Sequence, residues 1–296
     1  MRDDPHRAAP GSAADAFALL GDETRVAIVL SLGDVGGAAG EALSFSELRD
    51  AVGARDSGRF NYHLDRLVGT FVEDAGEGYR LTYAGFLLYQ AATRGTVGDL
   101  ALPDRLETSV ACPTCEGDLA AVPHSNGFLS VACGDCDRVL YRSGFPPRGV
   151  AVRDGDALLA AVDAWMRERL SLFDRGLCYG CSGRVTRALL TDAASFPPAV
   201  RDREETFAFV HYVCRGCGLS PVVDVATVAL FRPATVAFLH ERGVDARELP
   251  FWEFDRRATT EVGDGRATLT VEEGGDALEL VFDADGEVAS TRRVAP

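Results

Sequence analysis

The 296-residue chain contains no lysine; all thirty of its basic residues are arginine. Acidic residues outnumber them, and the formal net charge is −15. A balance of this sign excludes long-range attraction to a polyanion at low salt, although local contacts remain open. At about 1 M salt the Debye length is roughly 3 Å, so that charge is barely felt at a distance. An acidic, lysine-free surface therefore suits a halophilic cytoplasm full of salt, where hydrated carboxylates keep a protein soluble. A GC-rich genome would favour arginine over lysine as well.

Other absences narrow the class further. The first residues, "MRDDPHRAAPGS", hold no apolar run, so no signal peptide is expected and residues 1–12 read as a disordered tail. The longest apolar-rich stretches, such as "PVVDVATVALF", reach about half the length of a membrane span. No catalytic triad, glycine-rich phosphate loop or open metal site is legible, so an enzyme is not expected. No cysteine stands outside a C-x-x-C pair, and residues 1–98 have none. The reading is a soluble, cytoplasmic protein of two or three domains without a membrane partner. Its 47% hydrophobic content is enough for a real core.

What is present falls into a recognisable order. "AADAFALLGDETRVAIVLSLGD" (13–34) reads as one helix that ends at Gly33 and Gly36–Gly37. "SFSE" matches a capping box, Ser44 with Glu47, and opens a short second helix. Asp56 or Ser57 caps a third, running to about Gly69. "FVEDAGEGYRLT" reads as a hairpin and "AGFLLYQAAT" as a fourth helix. On a helical wheel Phe60, Leu64, Leu67, Val68 and Phe71 share the core side of the third helix. Arg59, Tyr62 and Arg66 lie opposite, with Asn61 and His63 at the margins.

This order is that of a winged helix-turn-helix. "LGDETRVAIVLSL", "RFNYHLDRLV" and "YRLTYAG" resemble the first-helix, recognition-helix and wing signatures of ArsR-type repressors, over roughly residues 13–97. The resemblance implies a recognition helix that enters the major groove of double-stranded DNA as a homodimer. The residues that match the recognition elements are Arg49, Arg55, Ser57, Arg59, Asn61, Tyr62, His63, Arg66 and, on the wing, Arg80. Arginine can take guanine bidentately or clamp phosphate, and asparagine can read adenine. His63 suits packing as well as base contact. From Arg49 to Arg66, four arginines stand against Asp50, Asp56 and Asp65, so the window is locally positive. The wing tip departs from the pattern, because "DAGEG" is acidic where wings usually present basic groups. With no cysteine in residues 1–98 and no histidine in the fourth helix, thiolate sensing of toxic metals within this domain is not expected. That helix (85–97) is a candidate for pairing two subunits.

The eight cysteines form two quartets. Cys112, Cys115, Cys133 and Cys136 follow C-x2-C-x17-C-x2-C; Cys178, Cys181, Cys214 and Cys217 follow C-x2-C-x32-C-x2-C. Each C-x-x-C aims two thiolates at one point, and two such turns complete a tetrahedron. Gly117 and Gly134 suit the turns of the first quartet. The expectation is two closed, structural zinc sites; iron fits the same ligands, and pairing between the quartets stays open. Strand-like stretches at 184–190 and 206–213, around a loop at Pro197–Pro198, would close the second. His124 and His211 are not at ligand spacing, and Arg138, Arg142 and Arg148 read as solvated surface.

The expected class is α+β. Residues 13–98 form the winged helix, 99–150 a first zinc ribbon, 151–250 helices with a second ribbon, and 251–296 an antiparallel β-meander. A helix over 153–174, and another over about 225–242 interrupted at Pro233, lie between. The C-terminal module is a candidate for a protein partner. The chain as a whole resembles DNA-binding transcription regulators of salt-loving archaea. The alternative reading is a protein-interaction scaffold of the transcription machinery without sequence-specific DNA binding.

Overall fold

The computed structural model describes residues 10–36, 41–98, 100–192 and 208–294. The chain divides into two compact units, one of residues to Leu102 with Phe145–Val152, the other of Pro103–Gly144 with the residues from Arg153 on. Residues 145–152, read from the sequence as the end of the first ribbon and the start of the next segment, thus cluster with the N-terminal unit. Most of the proposed disordered tail, and the proposed loop at Pro197–Pro198, lie outside the described residues.

The first unit opens with α1 (Pro10–Ala18) and α2 (Glu23–Gly36). These are two helices where the sequence pattern suggested one. Asp22 causes the break, since its carboxylate accepts the N–H groups of Thr24 (2.9 Å) and Arg25 (3.3 Å) and so caps α2. Gly33 does not end α2 but lies within it. A Cβ there would come within 2.2 Å of the Tyr89 ring, so glycine is what lets that ring approach. Then come α3 (Phe45–Val52), opened by a complete Ser44–Glu47 capping box, and α4 (Ser57–Leu67), capped by Asp56. Strands β1 (Val72–Asp74) and β2 (Tyr79–Leu81) pair antiparallel, and Leu43 bridges to Tyr79 on the other side. α5 (Tyr83–Thr93) follows. α6 (Pro147–Ala151) is tied to the end of α5 by the bond from Arg148 N–H to the Arg94 carbonyl, 3.0 Å. Ile28, Val29, Leu32, Leu48, Phe60, Leu64, Leu67, Phe71, Val72 and Leu81 form the core. Val68, expected in that set, is exposed: it caps α4 in an extended conformation, so the wheel no longer applies to it.

The second unit contains a four-stranded antiparallel sheet of β3 (Leu106–Ala111), β4 (Asp118–Pro123), β5 (Phe128–Cys133) and β6 (Val139–Gly144). The long helix α7 (Gly155–Asp174) leans on β3. Its first glycine has no room for a Cβ, which would lie 1.9 Å from the Glu107 carbonyl oxygen. A three-stranded antiparallel sheet follows, β7 (Val185–Leu190), β8 (Phe209–Cys214) and β9 (Val222–Asp224). The helical stretch around Pro233 is two helices, α8 (Val225–Ala229) and α9 (Pro233–His240), since proline removes a donor and starts a new first turn. α10 (Phe251–Asp255) occupies the start of the segment read from sequence as meander; Phe251, Trp252 and Phe254 are buried in it. The meander itself is β10 (Ala258–Gly263), β11 (Arg266–Glu273), β12 (Asp276–Phe282) and β13 (Val288–Val294). Leu269, Val271, Leu278, Leu280 and Phe282 fill one face of it. Among the described residues no helix is long and apolar enough to cross a membrane.

Candidate metal centres and nucleic-acid face

The topology brings each quartet together within itself. In a meander, alternate turns fall at the same end of the sheet. The β3–β4 connection carries Cys112 and Cys115, and the β5–β6 connection carries Cys133 and Cys136. Pairing of Leu119 with Cys133 sets the two turns side by side. In the second sheet Val185 pairs with Cys214, which joins the turn before β7, with Cys178 and Cys181, to the β8–β9 turn with Cys214 and Cys217. In each quartet four Sγ atoms lie within 4.8 Å of one another, and each C-x-x-C has one buried and one exposed cysteine.

All four turns are built alike. The N–H of the first cysteine donates to the carbonyl five residues on: Cys112 to Gly117 (2.7 Å), Cys133 to Arg138 (2.9 Å), Cys178 to Gly183 (2.9 Å) and Cys214 to Leu219 (2.9 Å). The residue after each second cysteine is left-handed: Glu116, Asp137, Ser182 and Gly218. Three of these are not glycine, so strained backbone is held where the sulfurs must converge. Gly117 and Gly134 lie within the first cluster's turns as expected, though not at the left-handed positions; Gly117 closes the Cys112 turn through its carbonyl and makes room for the Asp135 side chain. Backbone N–H groups also point at sulfur, from Thr114 to Cys112, Asp135 to Cys133 and Gly180 to Cys178, each 3.4 Å.

The donor sets fit a tetrahedral metal ion. A metal–sulfur bond of about 2.3 Å gives a tetrahedron with edges of about 3.8 Å. The sulfurs stand 3.7 Å (Cys112–Cys136) and 3.4 Å (Cys115–Cys133) apart in the first cluster. In the second they stand 3.6 Å (Cys178–Cys217) and 3.5 Å (Cys181–Cys214) apart. Electrostatics point the same way. Burial opposes the Cys112 thiolate, but the N–H groups of Thr114 and Cys115 and the neighbouring thiols bring it down to about 7. The Cys217 N–H leads in lowering Cys214 to about 7. The Gly117 N–H would lower Cys115, yet the adjoining Cys133 and Cys136 outweigh it and push it up to about 12. In each cluster one thiol is lowered while others, Cys115 and Cys136 in the first and Cys178, Cys181 and Cys217 in the second, are raised, a conflict that a cation removes. The chain therefore has two four-cysteine clusters that could each bind a metal ion. His124 and His211 stand apart from them, bonded to Ser130 (2.8 Å) and Ser220 (2.6 Å).

The residues proposed for DNA contact divide into two groups. Arg55, Ser57, Arg59, Asn61, Tyr62 and Arg66 are all exposed, on α4 or just before it. Among the described residues Arg55, Arg59 and Arg66 have no ion pair or side-chain hydrogen bond. Asn61 donates to Asp65 (2.8 Å). Arg49 is held by Asp50 (2.8 Å), and Arg80 by both carboxylate oxygens of Glu73, its cross-strand partner (3.0 and 3.1 Å). Of the two roles the sequence left open for His63, base contact and packing, its position fits packing: it is 6% exposed and inside the unit, with Nδ1 3.4 Å from Asp22 Oδ1. It lies three residues from Phe60, about 60° off the core direction, and the α1–α2 elbow covers that margin. Burial resists the Asp22 charge, yet the Arg25 N–H, His63 and Thr24 together hold its carboxyl below the usual range.

Sequence reasoning missed the arginines that serve the first cluster. Arg138 is not solvated surface: it is 21% exposed and bonds Thr114 Oγ1 and Asp255 (2.7 Å). Arg256, unmarked by any motif, donates to the carbonyls of Ala111 (3.0 Å) and Cys112 (2.9 Å).

The chain belongs to the family described as Domain of unknown function (DUF7351), whose model matches residues 109–288, more than half of the chain. That span includes both cysteine clusters. A second model, Domain of unknown function (DUF7347), matches residues 13–92, the stretch that holds α2 to α4 and the hairpin. No curated protein and no solved structure matches the chain.

Proposed function

We propose that the chain is a DNA-binding transcriptional regulator, with an ArsR-like winged helix-turn-helix in its first unit and two structural zinc ions in its second. The observation that carries this reading is the outer face of α4. Arg55, Arg59 and Arg66 are exposed and, among the described residues, unpaired there, beside Tyr62, which is 59% exposed. The helix is capped and rigidly backed by Phe60, Leu64 and Leu67, so the guanidinium groups are carried on a firm element. Helix α3, which precedes the turn, would cross the DNA backbone. Exposed apolar residues on α1 (Phe17) and α5 (Tyr83, Leu87) supply the surface for a homodimer. Binding is tested by gel shift with fragments recovered from genome-wide immunoprecipitation at native salt, using the wild type and Arg59→Ala/Arg66→Ala.

Four thiolates close the shell around each ion, which suits a structural role and leaves no place for a reacting water. Zinc in such a site contributes its binding free energy to folding. Elemental analysis showing two zinc ions per chain, without the visible absorbance of iron tetrathiolate, supports this assignment.

One feature favours a second reading, a scaffold that binds protein rather than DNA. The hairpin places Asp74 and Glu77 at its exposed tip, and its one arginine, Arg80, is engaged by Glu73. Co-purification with polymerase or a general factor, without duplex binding, would select that reading.

A further inference from the structure

Both clusters use the same turn, but among the described residues only the first is held by arginine side chains, Arg256 on the turn backbone and Arg138 on a turn side chain. Arg256 follows α10. Its Nη2 donates to the Ala111 and Cys112 carbonyls, and its Nη1 meets the carboxylate of Glu116, the left-handed residue of that turn. Arg138, whose own carbonyl closes the Cys133 turn, reaches across to Thr114 in the other turn and to Asp255 at the end of α10. The two turns are thus bonded to each other and to α10. α10 is itself fixed: the Phe251 N–H donates to buried Asp163 (3.0 Å), which Arg167 holds at 2.5 Å.

The second cluster has no such clamp. Among the described residues no arginine side chain hydrogen-bonds the backbone of either of its turns. What touches it from outside meets a side chain: Tyr179 is edge-on to Phe173 (5.1 Å) and lies below the Arg169 guanidinium (4.3 Å). Arg215, inside the Cys214 turn, has no ion pair among the described residues.

Releasing a metal ion requires one turn to swing a thiolate away. At the first cluster that motion breaks the Arg256 bonds to the Ala111 and Cys112 carbonyls and the Arg138 bond to Thr114 Oγ1. At the second cluster, among the described residues, the turn's own bonds, the Val185–Cys214 strand pairing and the packing of Tyr179 under Arg169 oppose it. We propose that Arg256 and Arg138 are positioning residues that make the first cluster the retentive metal site and leave the second as the exchangeable one. This rests on the zinc reading above.

The test uses the whole 296-residue chain, loaded with zinc. Zinc content is measured first; two ions per chain support the zinc reading, and none overturns it. Excess EDTA is then added and free zinc followed in time. The expected result is two phases of one ion each. Cys181→Ser removes the fast phase, and Arg256→Gln speeds the slow phase roughly 10- to 100-fold while leaving the fast one in place. Should Arg256→Gln fail to fold, Arg138→Gln and the Cys181→Ser assignment decide. Two zinc ions released in a single phase, a slow phase removed by Cys181→Ser, or a slow phase indifferent to Arg256→Gln would overturn the inference while leaving the zinc reading standing.

Discussion

Replacing Arg59 and Arg66 together by alanine probes the nucleic-acid reading where it is most exposed. The two residues are seven apart on α4, so their Cα atoms stand about 10.5 Å apart along the axis, or roughly three base-pair steps. Neither side chain has an ion pair or hydrogen bond to lose among the described residues, and alanine is at least as good a helix former. Stability should therefore move by no more than about 0.5 kcal/mol. Binding should respond very differently. A guanidinium that reads guanine is worth about 1–3 kcal/mol, so the pair accounts for about 2–6 kcal/mol. At about 1.4 kcal/mol per decade that is a drop of roughly 30-fold to more than 10⁴-fold, whose upper end reaches the lower end of the usual gap of about 10³–10⁷ between specific and non-specific affinity. If the groups clamp phosphate instead, affinity falls across all sequences, and the salt slope flattens by about 0.9 for each phosphate no longer neutralised. The assay is a binding titration on a fragment recovered in vivo, at several salt concentrations, beside a thermal melt of each variant. A variant that melts like the wild type and binds the same fragment with the same affinity and salt slope would refute the assignment of this face.

Other outcomes follow from single side chains. Leu64→Ala, at a fully buried position of α4, should cost about 2–5 kcal/mol, read as a lower urea midpoint. Asp56→Ala removes the side chain that accepts the Arg59 N–H (3.0 Å) and should cost about 1 kcal/mol. Complete metal removal under reducing conditions should loosen the second unit, seen as a red shift in emission from Trp252, buried in α10 near the first cluster. Unchanged fluorescence and circular dichroism after verified metal removal would contradict that. Tyr212→Phe deletes a buried hydroxyl that donates to Asp174 (2.7 Å), and should lower stability by about 1–3 kcal/mol without altering zinc content.

What the sequence disclosed was mostly local. The C-x-x-C spacing states its own geometry, because a turn of six residues decides where two sulfurs point. The Ser44–Glu47 box and the Asp56 cap are settled within one helical turn. The α1–α2 break was equally local but hidden, since the apolar period runs through it; Gly21–Asp22 was the signal that Asp22 caps a new helix. The turn pattern that marks the meander begins only at Gly263–Gly265, so nothing in it separates Phe251–Asp255, which forms α10 behind Pro250 at its N-cap. Arg138 and Arg256 were not legible at all. Their hydrogen bonds join residues 117 and 144 positions apart, and nothing in the intervening chain specifies them. His63 fell between the two cases: the wheel placed it at a margin, and which side of that margin is buried depends on the elbow at Asp22.

The opposition between a net charge of −15 and the proposed DNA contact of α4 also resolves by distance. On α4 the nearby carboxylates are already engaged: Asp56 accepts a backbone N–H as the cap, and Asp65 accepts from Asn61. Among the described residues the three arginines beside them are not. On the hairpin the reverse holds, with the cation taken up by Glu73 and with Asp74 and Glu77 left exposed. At about 0.1 M salt, with a Debye length of about 10 Å, the tip and the wider acidic surface would oppose approach to phosphate. At about 1 M that length is roughly 3 Å, so the diffuse repulsion fades while hydrogen-bonded contact between guanidinium and base edge lies within the screening distance. Attraction at long range is removed by the same salt. Such a protein would gain little from non-specific capture and would depend on the base contacts of one helix face, the face that carries Arg59 and Arg66.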